Sequence, residues 1–385
     1  MANPNMPCPS LPLLPILLAL SLLMLACQTP SPLRGIIKVG LNAPFSGQDY
    51  AIGYNALFAA KLALREWNAQ GGAAGYRVEL VAQDEGEAGE AVRRQAAGLA
   101  KDPDIVGVIG HLRDESTKMA MEIYLRAELP FVSLSPEDGR GKDAHGHAYR
   151  IVASAREVGE AVSVMVSERL SADRVALLFD PYREGGLADA VALALQSHGV
   201  EVVLRKELPA NRDLLPNRIR RQDIRAIILL GGGVEEGPVV ADLLQAGMAA
   251  PILVGPLEGP ALVQTAAGST QGVYYFTLAP HPRDLMGAEG FIERYRALGS
   301  REPWGVAALV YDGTNLLLEA IRRSAQEGRP TRQAVAAALA SMEDEPGLTG
   351  TISFDVRRTR RMAPVYFYRL TGPDLPGTLI LKYPQ

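Results

Sequence analysis

A series of short apolar runs with no polar alternation, each followed by a segment of helical spacing, is what most restricts the fold of this chain. Residues 105–109 read Ile-Val-Gly-Val-Ile, 226–230 read Ala-Ile-Ile-Leu-Leu, and 251–254 read Pro-Ile-Leu-Val. A strand with one wet face alternates. A strand that is apolar throughout is buried on both faces, as in a parallel sheet covered by helices. Strands at 36–41, 77–82, 105–109 and 131–134 are separated by helical patterns at 55–68, 90–100 and 117–129. Gly71-Gly72 closes the first of these helices. The rhythm restarts with a helix at 157–170, a strand at 174–179, a helix at 187–197 and a strand at 200–204, followed by the runs at 226–230 and 251–254. Two such series predict an α/β protein with two doubly wound, Rossmann-like lobes. The pattern then changes. Consecutive helices at 304–324 and 331–342 precede strands at 350–355, 363–370 and 378–382, so the chain is expected to recross between lobes.

The amino terminus carries a second signal. Residues 11–25 form an apolar run that ends at Ala26-Cys27. Such a run is shorter than the roughly 20 residues that span a bilayer and suits the apolar region of a secretion signal. Met24-Leu25-Ala26-Cys27 resembles a lipobox, in which the Cys becomes the lipidated first residue. Residues 1–26 are then a lipoprotein signal peptide and 27–35 a Pro-broken tether, with Cys27 as the lipidation site. The first basic residue is Arg34, and an uncleaved signal anchor is the other reading. Both place the rest of the chain outside the cytoplasm, anchored to the membrane. The cysteines of the chain are Cys8 and Cys27, both in this leader, which excludes an internal disulfide, a thiolate nucleophile and a thiolate metal site. A length of 385 residues exceeds what one core fills. A net charge of −4 argues against nucleic acid as a partner.

Ligands of open α/β sheets bind outside the carboxyl ends of the strands. That selects the loops 42–53, 111–116, 135–139, 180–186, 231–236 and 255–259. Gly231-Gly232-Gly233 lacks the dinucleotide spacing, and Glu235-Glu236 would repel a pyrophosphate. His145-Gly146-His147 lacks a third metal ligand and reads as a polar loop. No G-x-S-x-G elbow or H-E-x-x-H helix occurs, so a binding protein without metal or cofactor is expected rather than an enzyme. The basic cluster Arg357, Arg358, Arg360 and Arg361 reads as a solvated turn.

Ser46-Gly47, Gly53 and Asn68-Ala69-Gln70-Gly71-Gly72 resemble the opening of the type I periplasmic solute-binding proteins of the leucine/isoleucine/valine-binding class. Ile109-Gly110-His111-Leu112 with Ser116-Thr117 resembles their third-strand loop. Ala308-Leu309-Val310-Tyr311-Asp312 resembles their late helix, and Thr349-Gly350-Thr351-Ile352-Ser353-Phe354-Asp355 their final crossover. The likeness spans nearly the whole mature chain. It implies two lobes joined by three crossovers, here near 151–152, 277–280 and 348–351. Lobe 1 is then 36–151 with 280–349, and lobe 2 is 152–279 with 350–385. It also implies a monomer that encloses a small polar solute, such as an amino acid or an amide, and hands it to an ABC-transporter permease. Some relatives of this class serve as ligand sensors instead, and that alternative stays open.

In the amino-acid binders of that class, hydroxyls and backbone N–H groups hold the α-carboxylate, while lobe-two aromatics and an acid hold the ammonium. Here Asp114 and, approximately, Glu137 fall on the hydroxyl positions, Ile52 replaces an aromatic, Gly231–Gly233 replace a Tyr, and Glu258 keeps the acid. Arg113 and Gly86 stand where many relatives carry a disulfide, and Arg113 is expected to pair with Glu85 or Glu87. Asp114 also reads as a helix N-cap before Ser116-Thr117. The candidate ligand-binding residues are Ser46, Ile52, Leu112, Arg113, Asp114, Ser135, Glu137, Tyr182, Arg183, Gly233 and Glu258. Two acids facing a ligand carboxylate would repel it, so a cationic or amide ligand suits the site better than free leucine, isoleucine or valine.

Overall fold

The computed structural model describes residues 34–85, 89–136, 147–208, 214–257, 259–266, 270–299, 301–325, 328–372 and 375–384. Among these residues the strands form two sheets. The first contains β1 (Gly35–Ala43), β2 (Tyr76–Asp84), β3 (Ile105–Ile109), β4 (Phe131–Ser133) and β5 (Ala148–Arg150), in the order β2-β1-β3-β4-β5. Its pairings are all parallel. The second contains β6 (Arg174–Phe179), β7 (Glu201–Glu207), β8 (Ala226–Leu230), β9 (Ile252–Gly255), β10 (Tyr274–Thr277), β11 (Val365–Arg369) and β12 (Thr378–Tyr383). Its order is β12-β11-β10-β9-β8-β6-β7. It is parallel from β7 to β10, and β11 and β12 extend it antiparallel. Each parallel part reverses direction beside its first strand, between β1 and β3 and between β6 and β8. Those are the switch points at which doubly wound sheets open a crevice.

The unbroken apolar runs have a direct cause. Along β8, Ala226, Ile228 and Leu230 enter one core while Ile227 and Leu229 enter another on the opposite face. β6 divides likewise, with Val175, Leu177 and Phe179 on one side and Ala176 and Leu178 on the other. Both faces of these two central strands are covered, which leaves their buried positions apolar. Each fully buried aliphatic side chain contributes about 1.5–3 kcal/mol.

The helices are α1 (Tyr50–Ala69), α2 (Gly89–Lys101), α3 (Asp114–Arg126), α4 (Ala155–Val164), α5 (Pro181–Ser197), α6 (Leu215–Arg220), α7 (Glu236–Gln245), α8 (Ala261–Thr265), α9 (Glu289–Gly299), α10 (Gly305–Ser324) and α11 (Arg332–Ala340). The chain leaves the first sheet after β5, and α4 then packs on α5 beside the second sheet. After β10 it returns, with α9 and α10 packing on α1 and α11 packing on α10. It crosses again before β11. Two doubly wound lobes joined by three crossovers are therefore formed by the described residues. Several elements escape the periodicity reading: β5, β10 and the helices α6 to α9.

Residues 350–355, expected as a strand, form no ladder. They make the isolated bridges Glu345–Ile352 and Phe354–Arg360 within the last crossover. That crossover is fixed by polar contacts instead. Asp312 on α10 is buried, and its carboxylate accepts from the backbone of Leu348 (2.7 Å) and Thr349 (2.8 Å) and from Thr349 Oγ1 (2.6 Å). Burial pushes the Asp312 carboxyl up, against these hydrogen bonds, which favour its charge. Arg360 is not in a solvated turn. It is buried, and its guanidinium donates to Thr349 Oγ1 (2.9 Å) and to the carbonyls of Thr349 (2.8 Å) and Thr351 (3.1 Å).

Candidate functional site

The loops at the two switch points face each other, and their residues build one cavity. From lobe 1, the loop after β1 supplies Pro44, Asp49 and Ile52, the loop after β3 supplies Leu112, Arg113 and Asp114, and the end of β4 supplies Leu134 and Pro136. From lobe 2, Arg183 and Glu184 follow β6, Gly232 follows β8, Pro256 follows β9 and Leu278 follows β10. Val306 and Leu309 on α10 complete the wall. The enclosed volume is about 70 Å³. A second, outer cavity of about 260 Å³ lies alongside, lined in part by Gln48, Glu115, Asp180 and Glu235. Arg113 and Arg183 line both, so they form the partition between them.

That partition is an ion cluster spanning the lobes. Asp49 precedes α1 and is 4% exposed. Its Oδ2 accepts from Arg113 Nη2 (2.9 Å), within lobe 1, and from Arg183 Nη1 (2.5 Å), across the cleft. Arg183 is steadied on its own lobe by Asp180, which accepts its backbone N–H (3.2 Å) and lies 3.4 Å from its Nε. Burial works against the Arg183 charge, but Asp49, with Asp180 and Glu236, outweighs it and the guanidinium pKa is raised. At the rim, Gln48 Nε2 donates to Glu235 Oε1 (3.4 Å), a second contact between lobes.

Leu112 to Asp114 rest on a buried polar core. His111 Nδ1 lies 3.2 Å from Glu85 Oε1, and its Nε2 lies 3.2 Å from both Asn42 Nδ2 and Tyr124 Oη. Glu85 and His111 are each fully buried. The expected pairing of Arg113 with Glu85 is thereby corrected: Glu85 is bound to His111, and Arg113 reaches Asp49. Glu87 and Gly86 lie outside the described residues. Asp114 is not an N-cap. It is the first residue of α3, the cap position is Arg113, and Asp114 Oδ1 accepts the Ser135 hydroxyl.

On lobe 2, Glu184 sits at a kink near the start of α5, with φ −127° and ψ 19°. Its carboxyl is held well above the usual range, by burial first and then by the nearby charges of Asp114 and Glu236. Glu236 is fully buried, and its Oε2 accepts the backbone N–H of Gly233 (2.7 Å). Burial pushes it up to about 7, against the hydrogen bonds from its own and the Gly233 backbone. The Gly231–Gly233 loop therefore wraps a carboxylate of the protein itself. Gly233 has φ +89° and a Cβ there would stand 2.9 Å from the Leu262 backbone, which requires glycine.

Of the candidates read from sequence, Ile52, Leu112, Arg113, Asp114 and Arg183 meet in the inner cavity. Ser135 and Gly233 are buried behind its wall, bonded to Asp114 and Glu236. Ser46 is exposed on its loop, and Asp49, three residues on, takes the place in the wall. Glu137, Glu258, Cys27 and the side chain of Tyr182 lie outside the described residues, as does His145. Sequence reasoning missed Asp49, Glu184 and Glu236. Each is an acid on a selected loop, and that was the available signal.

Comparison with known proteins agrees with this fold. The periplasmic binding protein family model matches residues 36–374. An amino acid binding protein of Pseudomonas aeruginosa is 26% identical over 285 residues, covering 71% of this chain and 75% of the relative. Leu/Ile/Val-binding protein homolog 2 of Brucella abortus is 23% identical over 351 residues, covering 88% and 91%. The isoleucine complex of the branched-chain amino acid transporter substrate-binding protein of Streptococcus pneumoniae superposes with TM-score 0.78 at 24% identity, over 90% of this chain and 99% of that one. A leucine-binding protein of Thermotoga maritima gives 0.79 at 20% identity, over 90% and 98%. The match over almost the whole described chain, on two lobes that close around one cavity, means that this protein belongs to the periplasmic binding protein family.

Proposed function

We propose that this protein is the extracytoplasmic solute receptor of an ABC transporter, holding a small polar solute between its lobes and presenting the closed form to the permease. One observation carries the reading: a mainly apolar cavity at both switch points, closed by a carboxylate that guanidiniums of both lobes share. Such a protein needs a cleft and a hinge, not a nucleophile. A solute touching both lobes favours the closed form by its differential affinity for it. The solute is an amino acid, an amide or a related compound, a reading that the relatives named as amino-acid or Leu/Ile/Val-binding proteins support for the amino acids. Ile52, Leu112 and Asp114 contact the solute, and Arg113 and Arg183 shut it in. The working unit is a monomer with lobe limits at 36–151 with 280–349 and 152–279 with 350–385. Acyl chains on Cys27 hold it at the membrane, where more than one chain is needed for firm anchoring.

The test is native mass spectrometry of the protein as purified, followed by melting curves with a panel of small polar solutes. The expected result is a retained solute, or one that raises the melting temperature. A solute at about 100 times its Kd adds about 2.7 kcal/mol of stability. A protein that neither retains nor is stabilised by any solute is not a receptor of this kind. Intact mass after detergent extraction, showing loss of 1–26 and added acyl mass, checks the anchor.

A further inference from the structure

The charges around the cavity define which solutes it accepts, given the receptor reading above. Among the described residues, Asp49, Asp114 and Glu184 line it, and Asp180 and Glu236 stand behind its wall. Burial favours the neutral form of Glu184 and Glu236, so three carboxylates, Asp49, Asp114 and Asp180, face two guanidiniums, Arg113 and Arg183, and both guanidiniums are committed to Asp49, Arg183 to Asp180 as well. The cavity is therefore short of positive charge. A second, separate feature points the same way. Asp49 is 4% exposed, yet its Oδ1 has no hydrogen-bond partner, and it stands beside the wall residue Gly232. An ammonium group supplies the donor that this oxygen lacks.

The same geometry disfavours an anion. A helix N-terminus attracts a ligand carboxylate, but α3 begins with its own Asp114 and Glu115. The anion position at that helix end is filled by the protein. A ligand carboxylate placed there would meet the Asp114 carboxylate in a weakly screened space. The rest of the wall is aliphatic: Ile52, Leu112, Leu134, Leu278, Val306 and Leu309.

We propose that the cavity is selective for a small organic cation with an aliphatic body, such as a primary alkylammonium or an amino acid whose carboxylate is masked as an amide, over a free zwitterion or an anion. Four compounds with one isobutyl body separate the cases: 3-methylbutylamine, leucinamide, leucine and 4-methylpentanoate. In calorimetry on the wild-type protein at neutral pH, the two cations should bind at least about tenfold more tightly than leucine, a difference of about 1.4 kcal/mol. 4-Methylpentanoate should show no binding. Asp114→Asn should weaken the cations about tenfold or more while keeping the wild-type circular dichroism spectrum. Leucine or 4-methylpentanoate binding as tightly as the amines overturns the proposal, and this comparison needs no variant to fold. If none of the four binds, native mass spectrometry decides. A retained ammonium solute supports the proposal, and a retained zwitterion or anion overturns it while leaving the receptor reading intact. A protein that binds no solute of any class removes the receptor reading itself.

Discussion

Glu236 illustrates how much one side chain depends on its surroundings. In an unfolded chain it ionises near 4.5, and in the folded protein it holds its proton up to about 7. As pH rises between these values, the unfolded chain loses the proton and the folded chain does not, so stability falls across that window and levels off above it. A difference of this size corresponds to about 3 kcal/mol. Glu184, raised in the same direction by burial, adds to the same slope. Glu236→Gln keeps an acceptor for the Gly233 N–H and removes the ionisation. Urea unfolding at pH 5 and pH 8 should show a wild-type loss that exceeds the variant's by about that amount. Parallel pH profiles for the two proteins would mean that Glu236 ionises as it does in solvent.

At the scale of elements, close backbone approach and capping set the details. Gly53, inside α1, faces the loop that forms the cavity roof, and a Cβ there would lie 1.8 Å from the Pro44 carbonyl oxygen. Gly53→Ala must push the helix from the loop, at a cost of about 3 kcal/mol or more. Gly98 on α2 has open space around its Cβ position. Gly98→Ala should therefore stabilise by about 0.5–1 kcal/mol through helix propensity, and melting curves of the pair should move in opposite directions. The start of α4, directly after the first crossover, carries a capping box: Ser154 Oγ accepts from the Glu157 backbone N–H (3.3 Å), and Glu157 Oε2 accepts from the Ser154 N–H (2.8 Å). Ser154→Ala should lower stability by about 1 kcal/mol, measured by denaturant unfolding.

For the whole molecule, Asp49 connects the lobes. Its carboxylate is the shared acceptor of Arg113 and Arg183, whose side chains are 18% and 23% exposed. In Asp49→Asn the two guanidiniums lose the carboxylate they share, and the pairing of Arg183 with Asp180 does not replace it between them. The lobes can separate and hydrate them, so the change should appear as a shift toward an open form rather than as unfolding. Small-angle scattering of the solute-free protein should give a larger radius of gyration for Asp49→Asn than for the wild type. Equal radii would mean that the crossovers and the remaining contacts between lobes hold the closed arrangement without Asp49.

The strand–helix alternation, the two lobes and the choice of loops were readable from the chain because burial on both faces leaves a local mark: every position of β8, and every position of β6 after Arg174, is apolar. The segment at 350–355 misled for a related reason. Its Thr-Ile-Ser-Phe alternation looks like a half-buried strand, but no strand edge is offered to it, and its burial comes from packing within a crossover. Arg360 and Asp49 were unreadable for the opposite reason. Both sit in polar, turn-like sequence, and such residues are exposed by default. Asp49 is buried because Arg183, 134 residues later in the chain, is brought against it when the lobes meet. Pattern over a few residues reports which faces are covered. It carries no information on which distant charge a loop residue will meet, and it is that pairing, decided by tertiary structure alone, that shapes the cavity and its charge.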